Sequence, residues 1–316
     1  MTAKIIAITE YYNERDNIES LVVNMASQSM VPDLWLLIDD GSTDDSTDLF
    51  LDMLSEYPIP YQLVKMPPKE SPDANRKGVA FQHVDMLNPA KDDEIGFDYL
   101  LKVDADTKMP ERYIEFCVRL LERLPEVGVM AGRIRGEEGS ETPMGTGKFV
   151  RREVARRTAG QYWDLDPDSL WNLKALSAGY ELLVLEDVLV EVTRPTRMVS
   201  SLGQFNYGRR TYYLGWGLPE ALIYAIVLFL KDYYPLAFLK GYIEEWTRGN
   251  WHCHNSVVIH FYSMRRMLMR KAGLIRSRDT GVCVSADVNL SNPSCIESSK
   301  LDRIASRIRR KLEEEE

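Results

Sequence analysis

The sequence predicts an α/β fold: a mostly parallel sheet flanked by helices, with a C-terminal helical extension. Three observations carry this. Apolar runs at 4–9, 34–38, 61–66 and 99–103 have the length and continuity of strands buried on both faces. After the first run, Ile18, Leu21, Val22 and Met25 recur at helical spacing, and strand–helix–strand alternation implies right-handed crossovers and parallel pairing. Two acidic clusters, Asp39-Asp40 and Asp104-Ala105-Asp106, stand directly after strand-like runs, the edge where such sheets bind ligands.

Taken in order, Asn13-Glu14-Arg15-Asp16-Asn17 reads as a polar loop and helix cap after the first strand. The second strand ends in Asp39-Asp40-Gly41-Ser42-Thr43, a turn that leads into a helix over 45–54. A polar loop at 67–77 follows the third strand, then a helix over 78–87. Beyond the Asp-X-Asp cluster a helix starts after Pro110 and runs to Leu124, and Val127 to Ile134 reads as a strand. A glycine-containing loop spans 136–147, and Ser169 to Ser177 is helical and stops at Gly179. Leu182 to Leu185 and Val188 to Val192 read as two strands. Three segments result: an α/β domain over 1–200, the ligand-binding and catalytic part, an aromatic-rich helical subdomain over 201–275, and a polar linker with a terminal amphipathic helix over 276–316. On that last helix Leu301, Ile304, Ile308 and Leu312 form one stripe.

Composition narrows the classes. A net charge of -9 argues against nucleic acid as a partner over the whole surface. Cys117, Cys253, Cys283 and Cys295 lack CxxC spacing, which argues against a zinc site or a disulfide framework and for a reducing, cytoplasmic setting. No secretory signal is expected, because Met1 leads straight into a strand-like run. The longest uncharged apolar run, Ala221 to Leu230, is ten residues, about half of the ~20 that span a bilayer. Tyr, Trp and Arg residues crowd the stretch 202–251, which suits either a packed helical subdomain or an interfacial helix pair at a cytoplasmic membrane surface.

The chemistry centres on Asp104 and Asp106. If extended geometry continues through them, residues two apart share a face and the two carboxylates point the same way. Such a pair repels unless a cation relieves it, and a hard divalent ion bridging to phosphate oxygens would do so. An Asp-X-Asp by itself is also what a solvated turn or helix cap contains. His83, His252, His254 and His260 form no ligand set with acidic partners, Gly145-X-Gly147 lacks a dinucleotide-binding context, and Arg151-Arg152 reads as solvated surface before it reads as a phosphate partner.

Four motifs in order, TEYYNERDNI, LLIDDGSTDDS, NRKG and LLKVDADTKMP, resemble those of family 2 glycosyltransferases of GT-A fold, over about 4–192. The resemblance implies a Rossmann-like sheet and a metal-dependent, inverting, non-processive transfer of one sugar from a UDP-, GDP- or dTDP-sugar to a hydroxyl acceptor, lipid-linked acceptors included. Residue by residue, it implies that Thr9, Glu10, Tyr12 and Glu14 border the nucleotide. Asp39 and Asp40 belong to the base site, with Asp40 accepting a hydrogen bond from the base. Arg76 and Lys77 approach the donor, Asp104 and Ala105 lie by the ribose or sugar, and Asp106, with Asp104, holds Mg²⁺ or Mn²⁺ on the diphosphate. Glu10 departs from the family, which commonly has proline there. The general base is implied eleven residues before Gly179, at Asp168, with Asp166 second; either is equally an N-cap for the helix at Ser169. The QxxRW motif of processive synthases is absent, which disfavours polymer synthesis. Two other classes compete: a sugar-1-phosphate nucleotidylyltransferase, whose first-strand loop is usually glycine-rich and basic where TEYYNERDNI is acidic, and a nucleotide-sugar-binding protein without catalysis.

Overall fold

The computed structural model describes residues 3–69, 96–136, 142–158, 169–194, 200–250, 252–253, 256–265, 282–292 and 296–314. It divides into two compact units, Met1–Thr193 together with Ser277–Glu316, and Arg194–Arg276.

The first unit is built on a mixed sheet. Strands β1 (Ile5–Tyr11), β2 (Leu34–Asp39), β3 (Tyr61–Lys65) and β4 (Tyr99–Lys102) lie side by side in the order β3-β2-β1-β4, all parallel. Ile8 is in register with Leu36 on one side and Lys102 on the other, so the four carboxyl ends leave from one edge. The sheet continues through antiparallel β7 (Lys148–Arg151) to β6 (Val127–Ile134) and β8 (Glu181–Val192). The two-residue β5 (Thr107–Lys108) and β9 (Val282–Val284) both pair with β8.

Alternation along β1 divides the core between the two faces. Ile5, Ala7 and Tyr11 pack with residues of α1 (Arg15–Ala26), α2 (Ser46–Glu56) and α3 (Tyr113–Leu121). Ile6 and Ile8 join the cluster that holds Val154 of α4 (Arg152–Thr158) and Trp171 of α5 (Ser169–Ser177).

The structure differs from the sequence expectation in several places. The run expected to carry both aspartates stops at Lys102, and Thr107 N–H donates to the Asp104 carbonyl at 3.2 Å, so residues 104–107 form a turn. The two strands expected over 182–192 are one, bent by a bulge where pairing jumps from Gly132–Leu185 to Arg133–Leu189. Strand β7 and helix α4 were not anticipated, because charged residues bracket so short an apolar core. Arg151 is not solvated: its guanidinium donates to the carbonyls of Val127 at 2.6 Å and Leu124 at 2.8 Å. Nor are residues 282–292 loose. Val282 and Val284 are buried in β9, and Asp187, in the β8 bulge, accepts from the Ala286 N–H at 2.6 Å. The terminal helix α10 (Ser298–Glu314) buries Leu301, Ile304 and Ile308 as its stripe predicts. The expected helix over 78–87 lies outside the described residues.

In the second unit, α6 (Ser201–Tyr213), α7 (Leu218–Leu230), α8 (Pro235–Arg248) and α9 (Ser256–Tyr262) pack as helices. Helices α6 and α8 meet backbone to backbone: a Cβ on Gly208 would lie 1.9 Å from the Phe238 carbonyl oxygen, and one on Gly241 2.0 Å from that of Phe205. Helix α7 buries Ala221, Ala225 and Leu228 on one side. Its other side leaves Phe229 73% and Leu230 78% exposed, and Leu236 at the start of α8 is 80% exposed. Among the described residues no helix is long and apolar enough to cross a membrane.

Candidate functional site

The site is the shared carboxyl edge of β1, β2, β3 and β4, and the loops there are stitched together before any ligand is considered. Asn13, in the left-handed region at φ 53°, accepts from Thr43 N–H at 2.8 Å and donates its own N–H to Ser42 Oγ at 3.1 Å. Glu14 N–H donates to Ser46 Oγ at 2.8 Å. Loop 12–14 and turn 39–46 are therefore one rigid wall.

The two aspartates of that turn have different jobs. Asp39 uses both oxygens internally, accepting from Ser42 N–H at 2.7 Å and from the Thr47 hydroxyl at 2.6 Å. That is a turn-holding role. Asp40 is fully buried and forms a 2.6 Å ion pair with Lys69, whose ammonium also lies 4.0 Å from the centre of the Tyr12 ring. Thr9 is removed from the expected set. It lies on the Ile5–Ala7–Tyr11 face of β1, is fully buried, and accepts the Trp35 indole N–H at 2.9 Å. Glu10 is half-buried at the end of β1, in register with Ile38.

The Asp104–Thr107 turn forms the next wall. Lys102, a lysine buried in β4, reaches Asp104 Oδ1 at 2.5 Å and donates to the Gly145 carbonyl at 2.8 Å. Asp104 N–H donates to Thr146 Oγ1 at 2.9 Å, and the Thr146 and Thr107 hydroxyls are 2.6 Å apart. Ala105 is buried, whereas Asp106 is half-buried and lines a pocket with Asn17, Ser20, Glu191 and Thr193. Asn17 ties the pocket together: its amide donates to Glu14 Oε2 at 2.7 Å, and its carbonyl accepts the Thr193 hydroxyl at 3.1 Å.

Asp104 and Asp106 offer hard oxygen donors suited to Mg²⁺ or Mn²⁺. Among the described residues no cluster of three or more His, Cys, Asp or Glu side chains is placed to hold a metal ion. An ion here would thus take at most these two carboxylates from the described chain and need phosphate or water for the rest, which fits a site that forms around a diphosphate. Arg76, Lys77, Asp166 and Asp168 lie outside the described residues.

Sequence reasoning missed Lys69, Thr146 and Asn17. Lys102 carried a signal, since a lone lysine in an apolar strand must find a buried partner.

No family profile and no curated protein sequence matches the chain. Solved structures do. A mannosyltransferase, PcManGT, from Pyrobaculum calidifontis, in complex with GDP-Man and Mn²⁺, superposes with TM-score 0.53 at 18% identity, over 67% of this chain and 63% of that one. The fold is of the GT-A type. The shared part thus spans less than two thirds of the mannosyltransferase. TarS residues 1–349 from S. aureus match with TM-score 0.48 at 14% identity, over 97% of this chain and 91% of that one. Glucosyl-3-phosphoglycerate synthase from Mycobacterium tuberculosis, with Mn²⁺, UDP and phosphoglyceric acid, matches with TM-score 0.45 at 16% identity, over 65% of this chain and 76% of that one. The fold comparison rests on the first of these.

Proposed function

We propose that the protein is a glycosyltransferase that moves one sugar from a nucleoside-diphosphate sugar to a hydroxyl acceptor, with inversion and without processivity. The observation that carries the reading is the alignment of four parallel strand ends, which brings Tyr12, Asp40, Lys69, Asp104 and Asp106 to one edge of a GT-A sheet. Support comes also from the mannosyltransferase of like fold, which was solved with GDP-Man and Mn²⁺.

In this reading the edge divides the donor between its walls. Tyr12 and Asp40 face the base, Glu14 borders the nucleotide, and Asp104 and Ala105 lie by the ribose or sugar. Asp106, with Asp104, would hold a divalent ion, which when bound supplies Lewis-acid stabilisation of the diphosphate leaving group. Lys102 holds Asp104 in place from β4. Asp168, or else Asp166, takes the acceptor's proton, and Arg76 and Lys77 approach the donor. The test is calorimetry of the purified protein with UDP, GDP and dTDP, each with and without Mn²⁺. Metal-dependent binding of at least one is expected; no binding by any of them, with or without metal, would remove the reading.

A membrane surface as the acceptor's location is favoured by one observation. The end of α7, the turn after it and the start of α8 expose Phe229, Leu230, Tyr233, Tyr234 and Leu236, with the exposed Lys231 among them. An apolar tip with aromatic and cationic neighbours suits the headgroup layer of a bilayer. Co-sedimentation with anionic vesicles is expected for the parent and lost in Phe229→Ser/Leu236→Ser. A parent that stays in the supernatant at low salt refutes the contact.

A further inference from the structure

We propose that Asn172 is a positioning residue for Asp104, acting through loop 142–147. The inference rests on the donor reading above and goes beyond it, because it adds a residue of α5 that acts on the Asp104–Thr107 turn only through that loop. Two points of the loop grip Asp104. The Asp104 N–H donates to Thr146 Oγ1 at 2.9 Å, and Lys102 Nζ, which reaches Asp104 Oδ1, also donates to the Gly145 carbonyl at 2.8 Å. The far end of the loop is fixed on the core. Gly147, in the left-handed region at φ 62°, accepts the Tyr113 hydroxyl on its carbonyl at 2.6 Å, and a Cβ there would lie 3.0 Å from Val190. The near end is met by Asn172, whose Nδ2 donates to the Pro143 carbonyl at 3.0 Å.

On packing grounds alone Asn172 is a poor choice for its place. It is 5% exposed and stands between Trp171 and Leu173, both buried. Its Oδ1 is buried too and has no hydrogen-bond partner among the described residues. Turning the amide over would set Oδ1 against the Pro143 carbonyl, acceptor against acceptor, so the side chain cannot satisfy both ends. Folded proteins seldom leave a buried carbonyl open, and one that stays open calls for a reason. The bond to Pro143 supplies it: without that bond the segment carrying Gly145 and Thr146 is free to shift, and Asp104 shifts with it.

Leucine has nearly the shape of asparagine and no polar atoms. In Asn172→Leu the open Oδ1 disappears while the Pro143 carbonyl loses its donor, so one open acceptor replaces another. Stability should therefore stay near that of the parent while the aim of Asp104 is lost.

The experiment is calorimetry of UDP, GDP and dTDP on the full-length protein with and without Mn²⁺, joined to thermal melts without nucleotide. It compares the parent, Asn172→Leu, Thr146→Val and the double variant; Asn172→Ala keeps the test available if Asn172→Leu does not fold. For the nucleotide that the parent binds best, Asn172→Leu should lower the Mn²⁺-dependent affinity by about tenfold, the lower end of the range for a residue that supports a metal ligand. Metal-free affinity should be unchanged, and Tm should stay within about 3 °C. The Mn²⁺ spin-resonance spectrum of the nucleotide complex should change as well, because Asp104 is part of the ion's surroundings. Since both residues act through one loop, the double variant should lose little more than the worse single variant. Equal losses with and without Mn²⁺, joined to a fall in Tm, would make Asn172 structural only and overturn the inference. So would an unchanged Mn²⁺-dependent affinity and spectrum in Asn172→Leu, or losses that simply add in the double variant. Each of these results leaves the donor reading intact, whereas binding of no nucleotide by the parent removes both.

Discussion

Asn24 reads the backbone of Met109 from both sides: its amide donates to the Met109 carbonyl at 2.8 Å, and its carbonyl accepts the Met109 N–H at 2.8 Å. One turn further along α1, Gln28 repeats the device on the Pro110 carbonyl at 2.9 Å and the Ile114 N–H at 3.3 Å. Helix α1 thus holds the exit of the Asp104–Thr107 turn as a strand partner would. Asn24→Ala leaves a buried donor and acceptor open and should cost about 2–3 kcal/mol in urea unfolding. It should also weaken metal-dependent nucleotide binding more than metal-free binding, because the chain leaving the Asp104–Thr107 turn loses its tie to α1 while the Asp40–Lys69 pair is untouched.

Asp106→Asn keeps the shape of the turn and removes one charge. Metal-dependent affinity for a nucleoside diphosphate should fall by roughly tenfold or more, in line with a lost carboxylate ligand, with the melting temperature unchanged. Titrations with Mn²⁺ and with EDTA check this, and equal affinity of parent and variant in both would clear Asp106 of the role.

For the proton transfer, Asp168→Asn should lower turnover by ~10²–10⁴-fold with nucleotide affinity little changed. If Asp166→Asn shows that loss and Asp168→Asn does not, the base is Asp166. Full activity in both variants would show that neither carboxylate takes the proton.

Glu115 gives a pH signature of the fold itself. Burial pushes its carboxyl pKa up, but Ser29 at 2.7 Å, Arg112 at 2.8 Å and Arg119 at 2.9 Å together bring it below the ordinary value. A depressed folded-state pKa means stability that is present above the unfolded value, near 4.5, and lost as pH falls through the folded one. Glu115→Gln should therefore cost about 2 kcal/mol at neutral pH, and the gap to the parent should close in acid. Urea melts at three pH values measure it; a gap that stays constant with pH would contradict the assignment.

Much of the sheet is legible in the sequence because β1, β2 and β4 are buried on both faces and so read as unbroken apolar runs. The acidic pairs stand out for the same reason, being abrupt ends to such runs. What was misread follows from treating 9–14 as one motif: alternation along β1 already puts Thr9 with Ile5, Ala7 and Tyr11, against Trp35. Asp39 could not be told from Asp40, since only the fold shows that Ser42 and Thr47 each hydrogen-bond to one oxygen of the first. Lys69 and Thr146 sit in polar loops whose composition is indistinguishable from solvated surface, and their partners are remote in sequence. The antiparallel β7 escaped because four residues flanked by charge leave no period to detect.

The second unit, Arg194–Arg276, interrupts the first in sequence, and β9 and α10 return only after it. A ribosome therefore delivers β1 to β8 well before the strand and helix that complete the same unit, a delay on the order of 10 s at ordinary elongation rates. During that interval the β8 side later covered by Val282 and Val284 is an open sheet edge, the kind of surface that invites wrong partners. Nascent chains of this protein should accordingly lean on holding chaperones until the last segment emerges. A stop codon after the second unit would release a polypeptide that carries most of the sheet yet never leaves that vulnerable stage.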